Sequence, residues 1–246
     1  MSSIPVVTKN LLIINIGIWL ACSLMPDFCR TVFSHLGLHY WGADAFNPLQ
    51  VITYMFIQAP LGETMGIGHI FFNMFALYMF GRILELTWGT RRFLLFYFVC
   101  GIGAALVQEL VWTLTLEKEF ISNLAMGNGL SASEVKQQLI MFPEHAQGLL
   151  SQFKNAMLTI GASGAVFGLL LGFGFVYPNV PMYLFFIPVP IKAKYLVGGY
   201  AVLEFFFGAS GTMGTVAHFA HLGGMLFALI LVLYWYKEGT LHGKHR

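Results

Sequence analysis

Long apolar stretches restrict the fold of this sequence more than any other feature. Charged residues make up only 10% of the 246 residues, against about 25% in soluble domains, so lipid must be much of the solvent. A helix needs roughly 20 mostly apolar residues to cross a membrane. Six stretches approach that length, at about 11–25, 67–83, 93–113, 157–177, 195–209 and 216–236. The sequence therefore predicts an all-α membrane protein, a bundle of six transmembrane helices.

The basic residues predict how these helices are oriented. Lys and Arg concentrate in the cytoplasmic loops of membrane proteins. Six spans place both termini on one side, and that side would hold nine of the thirteen basic residues. They are Lys9, Arg82, Arg91, Arg92, Lys192, Lys194, Lys237, Lys244 and Arg246. Both termini are therefore predicted to be cytoplasmic.

Two long segments fall on the opposite, outer side. Residues 26–66 mix aromatic residues, prolines and short apolar runs, which indicates a segment lying in the membrane interface. Within 115–155, a capping-box pattern beginning at Ser131 predicts a short helix that Pro143 ends. An interfacial amphipathic helix is the favoured interpretation, and a substrate-docking element is the alternative. With no repeat or second-domain signal in the sequence, residues 1–246 are expected to form a single membrane domain.

The fourth apolar stretch opens with a serine between small residues. A lone serine in a membrane helix is ordinarily structural, because its hydroxyl bonds back to its own helix. Here glycines flank Ser163, so a second backbone or a substrate can approach the hydroxyl closely. Gly164, Gly168 and Gly172 then recur every four residues, a stripe that allows close helix packing in lipid.

The sixth stretch carries two histidines beside its own small-residue stripe. Ala220, Gly224 and Ala228 form that stripe, and His221 belongs to the same face. His218 lies one turn nearer the outer surface and is interpreted as structural or interfacial. Packing of the two small faces would bring His221 to the serine. A serine hydroxyl is a weak nucleophile until a neighbouring base takes its proton.

The second stretch begins with His69 and Asn73, four residues apart. Positions i and i+4 share a helix face, and both side chains can donate hydrogen bonds. Donors that converge on one point are what a tetrahedral oxyanion requires. Hydrogen bonding between helices is the structural alternative for this pair.

These motifs, in this order, resemble those of the rhomboid family of intramembrane serine proteases. Gly161–Gly164 looks like its G-x-S-G motif, Ala220–Gly224 like A-H-x-x-G, and His69 with Asn73 like H-x-x-x-N. Gly81–Glu85 resembles the family's G-x-x-x-E turn. The resemblance implies a rhomboid-like bundle, with Ser163 as nucleophile and His221 as general base and acid. It also implies that His69, Asn73 and the Ser163 amide hold the oxyanion.

The sequence departs from the family pattern at several positions. Leu49-Gln50 stands where a Trp-Arg pair is typical, and Gln58 replaces a frequent histidine. Phe167 stands where many members have a Tyr that stacks on the catalytic histidine. No carboxylate adjoins either histidine of the sixth stretch in sequence, and the resemblance implies a Ser-His dyad that needs no third acid.

The resemblance further implies that the substrates are transmembrane helices, which would be cut near small residues in locally unstable segments. The resemblance implies no cofactor and no metal, and the partners are membrane-protein substrates and the lipid bilayer, without nucleic acid. A multi-pass protein of a bacterial inner membrane is expected, with its site just below the outer face. The alternatives are a catalytically silent rhomboid-like protein that binds clients, or a small transporter using Glu109 and Glu204.

Overall fold

The computed structural model describes residues 3–63, 66–184, 187–210 and 217–241. The predicted start of the sixth span at 216, and the basic residues Lys244 and Arg246, lie outside the described residues. The helices are α1 (Val6–Leu24), α2 (Pro26–Leu36), α3 (Gln50–Thr53), α4 (Gly66–Ala76), α5 (Arg82–Trp88), α6 (Thr90–Asn128), α7 (Ala132–Met141), α8 (Pro143–Ala156), α9 (Ser163–Val176), α10 (Ala193–Ser210) and α11 (His218–Lys237). The strands are β1 (Leu38–His39), β2 (Leu158–Thr159), β3 (Pro181–Leu184) and β4 (Ile187–Lys192).

Four helical stretches among the described residues are long and apolar enough to cross a membrane. They are α1, α6, α11 and the stretch Gly66–Trp88, in which a π-helical turn at Leu77–Gly81 joins α4 to α5. The apolar α9 is shorter, and α10 has 18 residues. The predicted all-α membrane bundle is confirmed, while the number of six spans stays a prediction.

The helix that carries the predicted nucleophile starts later than the sequence suggested. α9 begins at Ser163, six residues after the predicted start at 157. The preceding residues are extended, because β2 pairs antiparallel with β1. Gly161 then turns the chain with φ at 124°, a conformation that favours glycine. Met157, Leu158 and Ile160 continue the apolar stretch of the next helix, so hydrophobicity did not show that this segment is extended.

The region 115–155 is mostly helical rather than a loop with one short helix. α6 extends well beyond the predicted end of its span and finishes at a left-handed cap, Gly129. The predicted capping box is present, with Ser131 Oγ accepting the Glu134 N–H at 3.3 Å. Hydrogen bonds from the Ser131 hydroxyl and N–H lower the pKa of Glu134. Pro143 begins α8 directly after α7.

Two further segments between the predicted spans have regular structure. Residues 26–66 contain α2, β1 and α3, followed by a 3₁₀ turn at Tyr54–Phe56. The depth of this segment in a membrane stays a prediction. β3 and β4 form an antiparallel hairpin between α9 and α10, which the sequence analysis did not predict.

The centre of the bundle is α11, which packs against α6, α9 and α10. Large apolar side chains fill the space around it, and Leu77, Phe93, Phe96 and Leu169 are completely buried. This core fixes the relative positions of α9 and α11, which carry Ser163 and the two histidines.

A buried carboxylate ties the first helix to the bundle. Glu85 Oε1 accepts the Val7 N–H at 3.0 Å, and Oε2 accepts the N–H and the hydroxyl of Thr8 at 2.7 and 2.8 Å. The first N–H groups of a helix have no partner within that helix, so Glu85 caps α1. Gly81 keeps the contact close, since an added Cβ would lie 3.3 Å from Thr8 Oγ1. This contact gives the G-x-x-x-E pattern a structural role.

Glu85→Ala is expected to lower the free energy of unfolding by roughly 2–4 kcal/mol, because each buried donor left without a partner costs about 1–3 kcal/mol. Thermal unfolding of the purified protein in detergent measures the loss. Glu117→Ala is the matched control, since its exposed ion pair with Lys136 should contribute about 0–1 kcal/mol. Equal melting temperatures for the two variants would contradict the capping role of Glu85.

Candidate active site

The turn before α9 places Ser163 at the start of a helix, in a partly open position. The Gly161 N–H donates to the Tyr54 carbonyl at 3.0 Å, and Ser163 is the first residue of α9. Its side chain is half-buried. Because N–H groups of a first helical turn have no partner within the helix, the Ser163 amide can bind an anion there.

The small-residue stripes of α9 and α11 meet, as the sequence predicted. A Cβ added at Gly224 would collide with the carbonyl oxygen of Gly164, so the two backbones touch. A Cβ added at Gly168 would strike Cys100 of α6. The glycines therefore bring α9 and α11 close enough for a side chain on one helix to reach the other.

His221 is the histidine that reaches Ser163. Its Nε2 lies 2.8 Å from Ser163 Oγ, within hydrogen-bond distance. Phe167, one turn after the serine, stacks on the imidazole with centroids 4.2 Å apart and planes 9° apart. Phenylalanine therefore makes the ring contact that the resemblance assigns to tyrosine. A nucleophile and a base within hydrogen-bond reach are the elements of acyl transfer.

The structure adds a carboxylate that sequence reasoning did not link to the site. Glu204 Oε2 lies 3.0 Å from His221 Nδ1 and 2.7 Å from His218 Nδ1. All three side chains are buried. A carboxylate inside an apolar helix is costly unless it is paired, so a partner was to be expected. No sequence pattern identifies which residue that partner is.

The same three residues could in principle hold a metal ion. Glu204, His218 and His221 offer ligand atoms within 4.8 Å of one another, and zinc takes such ligands. In this geometry, however, both Nδ1 atoms are at hydrogen-bond distance from the carboxylate. Nε2 of His221 is also at hydrogen-bond distance from Ser163. The distances are those of a hydrogen-bonded cluster.

His69 lies beside the turn that precedes Ser163. Its Nδ1 accepts the Ala59 N–H at 3.2 Å, which leaves the ring hydrogen of the neutral form on Nε2. A Cβ added at Gly161 would lie 3.0 Å from this Nε2, so the donor is next to the turn. His69 is half-buried and is placed to donate into the space beside Ser163.

Asn73 is the inner end of a buried chain of amides. Its Nδ2 donates to Gln58 Oε1 at 2.8 Å, and Gln58 Nε2 donates to Asn15 Oδ1 at 2.8 Å. Asn15 Nδ2 in turn donates to the Leu11 carbonyl at 2.9 Å. An amide nitrogen carries two hydrogens, so Asn73 retains one for another acceptor. Gln58, noted in the sequence only as a replaced histidine, orients Asn73.

Gln58→Leu is expected to lower kcat for peptide cleavage by roughly 10–100-fold, because small misplacements of a catalytic group cost that much. Turnover by the reconstituted protein, with its melting temperature, measures the effect. Gln50→Leu is the matched control, since Gln50 is also buried and its side-chain partners in the described part of the chain are backbone groups of His35, His39 and Ala45. A loss of kcat no larger in Gln58→Leu than in the control would contradict the orienting role.

An apolar cavity of about 400 Å³ adjoins the site. It lies among α4, the π-helical turn, α9, β3 and α10, and its lining includes Phe72, Phe75, Phe167, Leu196 and Tyr200. Phe167 belongs both to this lining and to the stack on His221. The cavity therefore reaches the phenyl ring that packs on the predicted base, while Ser163 and His221 are not among its lining residues.

Comparison with known proteins agrees with this fold. The family model described as the rhomboid domain matches residues 46–133 and 137–238, more than half of the chain. The chain belongs to the rhomboid family, a membrane-protein class that acts on transmembrane substrates within the membrane. It is also similar to RHOMBOID-like protein 12, mitochondrial, of Arabidopsis thaliana, with 30% identity over 167 residues. That match covers 67% of this chain and 41% of the relative, so the chain spans about two fifths of that protein's length.

Proposed function

We propose that this protein is an intramembrane serine endopeptidase that hydrolyses peptide bonds of transmembrane proteins. The observation that carries the proposal is the 2.8 Å contact between Ser163 Oγ and His221 Nε2, held between two helices whose glycines touch. In this mechanism Ser163 attacks the peptide carbonyl while its proton passes to His221. His221 then gives the proton to the leaving amine, and water hydrolyses the acyl-enzyme.

Three donors beside Ser163 would hold the oxyanion of the tetrahedral intermediate. They are the Ser163 N–H, the Nε2–H of His69 and the remaining Nδ2 hydrogen of Asn73. The N–H belongs to the first turn of α9, and the side chains are fixed by Ala59 and Gln58 respectively. Preorganised donors stabilise developing charge without reorganisation during the reaction.

The cavity next to the site supports the proposed substrate class. Its lining is aromatic and aliphatic, which suits an apolar segment of a membrane protein. It reaches Phe167, whose ring packs on the imidazole of His221, so a bound apolar segment would lie next to the site. We assign membrane-protein helices as substrates, with no cofactor in the reaction.

The proposal extends to the placement of the chain. Residues 1–246 form one rhomboid-like membrane domain with six spans. Among the described residues, four of these spans meet the length and hydropathy expected of a transmembrane helix, and α9 and α10 are proposed as the other two. The bias of basic residues puts both termini in the cytoplasm. A bacterial inner membrane is the proposed location, with the site near the outer face.

The test is cleavage of a transmembrane substrate by purified protein in liposomes, compared with Ser163→Ala at equal amounts of folded protein. A protease gives product only with the wild type. A client-binding rhomboid-like protein would bind the substrate equally with and without the serine and give no product. Glu109 and Glu204, on which the transporter alternative depends, each accept a hydrogen bond within the protein. Transport of solute or ions by liposomes that contain Ser163→Ala would support that alternative.

A further inference from the structure

We propose that Glu204 is a positioning residue for His221, so that the site works as a Ser-His-Glu array rather than a Ser-His pair. The inference rests on the proposed function, since it concerns the same serine and histidine. The resemblance to rhomboid proteases implied only the pair, and Glu204 comes from α10, a helix that carries no recognised motif.

The first argument is the continuity of the contacts. Ser163 Oγ lies 2.8 Å from His221 Nε2, and His221 Nδ1 lies 3.0 Å from Glu204 Oε2. An ionised carboxylate can only accept hydrogen bonds, so Nδ1 of His221 must carry the hydrogen. The Nε2 lone pair then faces the serine hydroxyl. Without the carboxylate, the ring could hold its hydrogen on Nε2, and that tautomer cannot take the serine proton.

The second argument is the fate of the proton. When Ser163 attacks, its proton moves to Nε2 of His221, and the ring becomes a cation with a hydrogen on each nitrogen. Glu204 stays ionised and keeps accepting from Nδ1, so it stabilises this cation. When the peptide bond breaks, the Nε2 proton passes to the leaving nitrogen and the ring returns to its starting tautomer. No oxidant, reductant or further acid is needed.

The third argument concerns the restraint on the ring. Phe167 stacks on one face of the imidazole, while Glu204 and Ser163 hold its two nitrogens. These contacts come from α9 and α10, and the ring itself belongs to α11. Rotation of the imidazole out of line with the serine would break at least one of them.

His218 supplies the competing explanation for Glu204. Its Nδ1 lies closer to the same carboxylate oxygen, at 2.7 Å, and its Nε2 is buried without a hydrogen-bond partner among the described residues. Glu204 could therefore serve only to tie α10 to α11 through His218. In our proposal His218 is the second donor that holds the carboxylate in place, and His221 is the residue on which the carboxylate acts.

The test compares kinetics and melting temperature for Glu204→Gln, Glu204→Asp and His218→Ala in liposomes. Glu204→Gln should lower kcat by about 10²–10⁴-fold, with KM changed less than about threefold, because the effect is on the transition state. Glu204→Asp keeps a carboxylate and should restore part of the rate. His218→Ala should keep kcat within about tenfold. Adding Glu204→Gln to His221→Ala should cause no further loss, because residues of one unit are not additive.

Several outcomes would overturn the positioning role while leaving the protease intact. The first is an active wild type whose kcat is unchanged by Glu204→Gln. The second is a loss of kcat in His218→Ala as large as that in Glu204→Gln. The third is inactivation of the wild type by a metal chelator. Nitrogen-15 NMR of histidine-labelled wild type decides the matter even if a Glu204 variant does not fold. We expect hydrogen on Nδ1 of His221, and hydrogen on Nε2 would refute the proposal. A folded wild type that cleaves nothing would overturn both the proposed function and this role.

Discussion

His221→Ala is expected to lower kcat for substrate cleavage by roughly 10⁴–10⁶-fold, because nucleophile and base act as one unit. Among the described residues, His221 is the histidine with a ring nitrogen at hydrogen-bond distance from Ser163 Oγ, at 2.8 Å. Without that acceptor the serine hydroxyl keeps its proton and remains a weak nucleophile. Turnover of a transmembrane substrate in liposomes measures the loss.

His218→Ala is the comparison variant for this prediction, because His218 contacts the same carboxylate as His221. The two histidines are three residues apart, so their side chains point about 60° apart on an ideal helix of 3.6 residues per turn. Both contact Glu204, but only one faces the serine. His218→Ala should therefore keep substantial activity. The opposite ranking of the two variants would show that the base is misassigned.

Asn73→Ala is expected to lower kcat by about 10²–10³-fold, which is ~2.7–4 kcal/mol of transition-state stabilisation. KM should be nearly unchanged, because the oxyanion exists only after attack. The Ser163 amide and His69 can share the charge, so the lower end of the range is the better estimate. Steady-state kinetics with the reconstituted protein measures both constants.

Asn73 also donates a hydrogen bond to Gln58 Oε1. Asn73→Ala should therefore lower the stability of the fold as well. Asn15→Ala separates the two effects, because it breaks the same chain of amides further from the serine. Both variants should melt lower than the wild type, and only Asn73→Ala should lose kcat. An equal loss of kcat in Asn73→Ala and Asn15→Ala would show that the His69–Asn73 motif has only a structural role.

Several features of the fold and site could be derived from sequence because they depend on local patterns. Glycine spacing on two apolar helices predicted a close contact, and Gly224 does touch the backbone of Gly164. The same pattern selected His221 over His218 as the residue facing Ser163. The capping box at Ser131 is also local, since both of its partners lie within four residues.

Features that depend on tertiary contacts were not predictable. Nothing in sequence links Glu204 to residues 14 and 17 positions later on another helix. Met157, Leu158 and Ile160 extend the apolar stretch of α9 toward the N-terminus, and the pairing of β2 with β1 shows that these residues precede the helix. The chain from Asn15 through Gln58 to Asn73 likewise joins three separate segments, so each amide looked isolated in the sequence.

The most direct measurement of the central claim is the attachment site of a mechanism-based fluorophosphonate probe. Wild-type protein in liposomes is treated with the probe, digested, and the modified residue located by mass spectrometry. We predict a single adduct on Ser163, which is absent from Ser163→Ala and from His221→Ala. An adduct on another serine, or equal labelling of Ser163 in wild type and His221→Ala, would contradict the assignment of this protein as a protease with a Ser163–His221 site.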